Sequence, residues 1–103
     1  MTQAEFLILG LVAECPAHGY QLERSTRALA APGVPTIGLS SIYLVLRSLQ
    51  SIGAVEGLLE PGARGPARNR FSITAAGRAL LQEQIHAAFR DGSAASDLAL
   101  GFL

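Results

Sequence analysis

The chain has 103 residues, half of them hydrophobic and 16% charged, with eight basic and eight acidic side chains and a formal net charge of zero. That length suits one domain, and that composition excludes a disordered chain. One cysteine, no apolar run longer than Phe6 to Ala13 and no basic stretch ahead of a cleavable segment exclude a disulfide framework, a bilayer span and a secretory leader, so a cytoplasmic protein without a membrane partner is expected.

Thr2 is the expected N-cap of a first helix that runs to about Glu14. Phe6, Leu7, Ile8, Leu9, Leu11 and Val12 cover nearly every direction around it, and a helix apolar all round must be covered on all sides. A three-helix core covers one side only. The other side calls for a further element of the chain or a second copy of it, and a homodimer is expected on this ground. Cys15-Pro16 ends the helix, because proline disfavours helical geometry in the residue before it.

A second helix is predicted from about His18 to Ala30, with Tyr20, Leu22 and Leu29 as apolar contacts. The turn 31–35 follows, and Thr36 leads toward a third helix that Ser40 should cap. There Leu39, Ile42, Leu46 and Leu49 recur at spacings of three and four and form the core stripe. Ser40, Ser41, Tyr43, Leu44, Arg47 and Ser48 make up the opposite side. Gly53 ends this helix. Val55 to Glu60 and Asn69 to Thr74 read as strands around a loop with two glycines, two prolines, Arg64 and Arg68. Thr74 caps a fourth helix with the stripe Leu80, Leu81, Ile85, Ala88 and Phe89, and the tail from Asp97 to Leu103 turns apolar again.

This order predicts a mainly α fold with a small two-stranded β-hairpin (α+β): a winged helix-turn-helix over 1–78 and a C-terminal dimerisation helix over 79–103. In such a fold one helix enters a DNA groove and the hairpin tip reaches the neighbouring backbone. Zero net charge speaks against nucleic acid, yet the charges are segregated. Residues 1–60 hold five acids and three arginines, residues 61–103 five arginines and three acids, and no acid stands between Pro61 and Gln82. Arginine makes forked contacts to phosphate and to guanine edges. The all-arginine count also fits a GC-rich genome. Candidate DNA contacts are Thr36, Ser40, Ser41, Tyr43, Leu44 and Arg47 on and before the third helix, and Arg64, Arg68 and Arg70 on the hairpin. Tyr43 and Arg47 stand four apart, on one helix face; a solvated face with a partly buried tyrosine is the plainer reading of the same residues. Candidate dimer contacts are Phe6, Leu7 and Leu11 on the first helix and Leu81, Ile85 and Phe89 on the fourth.

Four stretches together resemble the PadR family of winged-helix transcriptional regulators, over residues 4 to 80. They are the opening helix Phe6-Leu7-Ile8-Leu9-Gly10-Leu11-Val12; the run Pro16-Ala17-His18-Gly19-Tyr20-Gln21-Leu22, similar to the family's His-Gly-Tyr signature; the third helix from Ser40 to Leu49; and the wing and helix start from Gly65 to Arg78. Leu44 stands where the family has proline, and Arg68 or Arg70 must serve where it has a wing-base lysine. The resemblance implies a homodimeric, ligand-responsive repressor of a double-stranded DNA operator, with a small apolar or aromatic effector. It also implies C-terminal helices that dimerise, and the stretch from Ser96 to Leu103 resembles the start of a longer C-terminal domain. Phe6, Phe89 and Phe102 are candidates to line an effector space, or are simply core.

No enzyme is expected. There is no nucleophile elbow, P-loop or dinucleotide fingerprint. His18 and His86 have no partners at ligand spacing, so neither a metal nor another cofactor is expected. His18 should instead hydrogen-bond at the start of the second helix or touch a phosphate. Cys15 has Glu14 beside it and no neighbouring base, the setting of an inert thiol. The rival from another class is a winged-helix module used for protein–protein contact.

Overall fold

A computed structural model describes residues 1–29, 32, 36–62 and 65–90. Along these residues the elements run α1 (Gln3–Glu14), β1 (Ala17–His18), α2 (Gly19–Ala28), α3 (Leu39–Ser51), β2 (Val55–Glu60), β3 (Arg68–Ile73) and α4 (Ala75–Arg90). α1 starts at a complete capping box. The Thr2 hydroxyl accepts from the Glu5 backbone N–H at 3.1 Å, and the Glu5 carboxylate accepts from the Thr2 N–H at 3.1 Å. Hydrogen bonds from Thr2 to the Glu5 carboxyl, from the backbone N–H foremost and then from the side chain, hold it below the usual carboxylate range. Its other oxygen accepts from the Ser48 hydroxyl of α3 at 3.5 Å, which links the two helices.

The core joins Leu7, Ile8, Leu9 and Val12 of α1 to Leu22 of α2, to Ile42, Leu46 and Leu49 of α3, and to Val55 and Phe71 of the sheet. α1 packs against α2, α3, α4 and β3. The cover that its all-round apolar surface requires therefore comes in part from α4 of the same chain, whose Leu80 and Leu81 lie against the core. Leu7, expected at a subunit contact, is only 5% exposed and belongs to the core of its own chain.

Two expectations for α3 are corrected. Its N-cap is Gly38, which has no side chain to cap with, and Ser40 lies inside the first turn. Leu39, expected on the core stripe, is 40% exposed; Ile37, just ahead of the helix, is buried in its place. The other end follows the local signal. Gly53 takes φ +75°, its N–H donates to the Gln50 carbonyl at 3.0 Å, and the Ala54 N–H donates to the Leu49 carbonyl at 2.9 Å. That pair of bonds is a Schellman motif, which needs the left-handed backbone that glycine adopts freely.

The sheet has three strands in the order β1-β3-β2, all antiparallel, so a third strand joins the expected hairpin. β1 pairs Ala17 with Phe71 and His18 with Arg70. β2 pairs with β3 from Val55–Ile73 to Glu60–Arg68. Partners opposite one another share a face. Val55, Gly57, Phe71 and Ile73 thus look toward the helices, while Leu58, Glu60, Arg68, Arg70 and His18 lie on the other face. α4 begins as its cap dictates: the Thr74 hydroxyl accepts from the Gly77 N–H at 3.0 Å and donates to the Gly53 carbonyl at 2.6 Å.

Candidate nucleic-acid interface

Ser40, Ser41, Tyr43, Leu44, Arg47 and Ser48 are all exposed on α3, and Thr36 is exposed ahead of it. Tyr43 is 47% exposed, and its ring is seated on the first residue of α2. A Cβ on Gly19 would stand 2.6 Å from Tyr43 Cζ and 2.8 Å from its hydroxyl. Only glycine leaves room for that ring.

The next residue carries the contact on to the wing. Tyr20, expected as an apolar contact of α2, is instead 37% exposed. Its hydroxyl accepts from Arg68 Nη1 at 3.2 Å, and the Arg68 guanidinium lies 5.7 Å from the centre of its ring. Tyr43, Gly19, Tyr20 and Arg68 therefore form a continuous path from the groove-sized helix to the hairpin. Arg70 is exposed one row further along the same sheet face, beside His18 and Leu58. Arg47 is exposed one turn after Tyr43.

Among the described residues the ion pairs are His18–Glu60 and Arg27–Glu23, so no carboxylate neutralises Arg47, Arg68 or Arg70. His18 is 7% exposed, and both its ring nitrogens face oxygens. Its backbone N–H donates to Gln21 Oε1 at 2.8 Å, Nδ1 lies 2.8 Å from the same oxygen, and Nε2 lies 2.5 Å from Glu60 Oε1. Its place at the start of α2 is the one expected for it. Its ring is also stacked on Tyr20, with centres 6.1 Å apart and planes 12° from parallel.

The candidate dimer contacts fall into three groups. Phe6, Leu11, Leu81 and Ile85 are half-buried, Phe89 is 68% exposed, and Leu7 is core. Arg64, Phe102 and the apolar tail 97–103 lie outside the described residues. Among the described residues no three His, Cys, Asp or Glu side chains gather as a metal site, and no helix is long and apolar enough to cross a membrane. Gly19, Tyr20, Gln21 and Glu60 were not singled out as site residues from the sequence. The signal was a glycine between two ring-bearing residues at a helix start.

Comparison with known proteins gives the same architecture. A PadR-like transcriptional regulator from Bacillus cereus is 25% identical, with a TM-score of 0.71 over 92% of this chain and 89% of that one. A PadR family transcription regulator from Clostridium difficile reaches 0.77 at 14% identity, over 95% of this chain and 99% of that one. Bacillus subtilis PadR, solved in complex with operator DNA, reaches 0.73 at 19% identity, over 82% of this chain and 47% of that one. An uncharacterized 37.1 kDa protein from a transposon of Streptomyces fradiae is 31% identical over 87 residues; the match takes in 84% of this chain and 23% of that protein's length. The sequence pattern of the transcriptional regulator PadR-like family matches residues 8–83. The chain belongs to the PadR-like family of transcriptional regulators, a family of regulators and not of enzymes.

Proposed function

We propose that this chain is a sequence-specific DNA-binding regulator that acts as a homodimer and represses by occupying its operator. The observation that carries this reading is the path Tyr43–Gly19–Tyr20–Arg68, which ties an exposed Ser/Tyr/Arg helix face to a wing where, among the described residues, no carboxylate neutralises Arg68 or Arg70. The operator complex of Bacillus subtilis PadR supports duplex DNA as the ligand. In the dimer, two α3 helices enter successive major grooves about 34 Å apart. Ser40, Ser41, Tyr43, Leu44 and Arg47 contact bases and phosphates, with Thr36 at the approach to the helix, and Arg64, Arg68 and Arg70 hold the flanking backbone. Phe6, Leu11, Leu81, Ile85 and Phe89 supply the subunit contact. An apolar or aromatic effector acts at that contact, with Phe6 and Phe89 against it.

Binding of a labelled random duplex at rising salt tests the reading. The logarithm of the affinity should fall linearly with the logarithm of salt, by about 0.9 for each phosphate neutralised. No retention of duplex at low salt, or retention without a salt slope, would leave the chain as a winged-helix module for protein contact.

A further inference from the structure

Glu60 and Arg68 are direct cross-strand partners on one face of the hairpin, at the base of the wing. Opposite charges in that register ordinarily pair. Here they do not: among the described residues the ion-pair partner of Glu60 is His18, 2.5 Å away, and Arg68 donates to the Tyr20 hydroxyl instead. Gln21 explains why the imidazole can hold the carboxylate. Its amide oxygen accepts the His18 backbone N–H, which fixes the orientation of the amide. The same oxygen faces Nδ1 at 2.8 Å and Glu60 Oε1 faces Nε2 at 2.5 Å, so both ring nitrogens meet acceptor oxygens, and a ring with a proton on each nitrogen donates to both. The ring is buried, with its side chain 9% exposed, so its aim is set by packing.

We infer that His18 is a positioning residue of the wing. By holding the Glu60 carboxylate it keeps that group from its cross-strand partner and leaves the Arg68 guanidinium free for a phosphate. Without His18, Glu60 swings to Arg68, an internal carboxylate takes the place of the phosphate, and the wing loses one counterion-releasing contact. Tyr20 completes the arrangement, because its hydroxyl orients Arg68 and carries no charge to compete with a phosphate. The inference rests on the DNA-binding reading above.

The test is the salt dependence of random-duplex binding in the wild type and four variants. His18→Asn keeps a side chain suited to an N-cap but is too short to reach Glu60. Glu60→Asp approaches the same pair from its half-buried partner, with a carboxylate one methylene too short for His18. Both should weaken binding and lower the salt slope by about 0.9 per protomer, one phosphate's worth. Glu60→Gln, which cannot neutralise Arg68, should keep the wild-type slope. The double variant His18→Asn/Glu60→Gln should regain it, which a purely structural role for His18 would not allow. A wild-type slope in Glu60→Asp, or a double variant no better than His18→Asn, would overturn the inference. A wild type that binds no duplex would instead overturn the DNA-binding reading beneath it.

Discussion

Gly77→Ala is expected to destabilise the domain by about 1–3 kcal/mol, the range for forcing an extra methyl into a close-packed site. The sign is opposite to intrinsic preference, since alanine in a helix is ordinarily better than glycine by about 1 kcal/mol. Gly77 sits in the first turn of α4 and is buried. A Cβ there would overlap the Ala54 carbonyl oxygen and come within 2.8 Å of Ile73 Cγ1. The carbonyl cannot yield, because it accepts from the Thr74 N–H at 3.1 Å, and its neighbour Gly53 accepts from the Thr74 hydroxyl. α4 would have to lift from the junction of α3 and β2, and Leu80 and Leu81 would leave the core with it. Stability of the order of 5–15 kcal/mol makes this a large share. Urea titration would show a lower midpoint at an unchanged slope. Equal or greater stability in the variant would mean that α4 is not docked on Ala54.

Gly19→Ala should act on binding rather than on folding. The atoms that its Cβ would strike belong to the Tyr43 ring, the outer end of a side chain that is 47% exposed and can rotate away. Stability should change by less than about 1 kcal/mol, whereas operator affinity should fall by roughly 5- to 150-fold, the equivalent of one base contact of about 1–3 kcal/mol. A double-mutant cycle isolates the cause. In a Tyr43→Ala background the alanine at residue 19 should cost nothing further. If it costs as much there as in the wild type, the seat beneath Tyr43 has no part in recognition.

Both glycines show where reading the sequence stops. Signals confined to a few neighbouring residues were legible: the Thr2 cap, the stop at Gly53, the Thr74 cap, and the alternation that buries Phe71. β1 was not, because two residues become a strand only through pairing with Phe71 and Arg70, more than fifty positions later. Leu39 was misread because the core stripe was carried back into a first turn whose residues no longer face the core; Ile37 fills that position from the preceding loop. The apolar circumference of α1 correctly called for another covering element, and α4 supplies part of that cover within the chain. At the site, the exposed Ser/Tyr/Arg face and the wing arginines could be named from periodicity and composition. The seat of Tyr43 and the grip of His18 on Glu60, 42 positions away, are tertiary contacts that no local pattern encodes.

The proposed function makes the outer side of α3 and the wing one duplex-binding surface with divided labour. Its most direct test is the affinity of wild type, Arg47→Ala and Arg68→Ala for a panel of duplexes that includes the site recovered by genomic footprinting. Arg68→Ala should weaken every duplex alike and reduce the salt slope by about 0.9 per protomer, while Arg47→Ala should change the order of preference among them. Affinities and preferences unchanged in both variants would contradict the account.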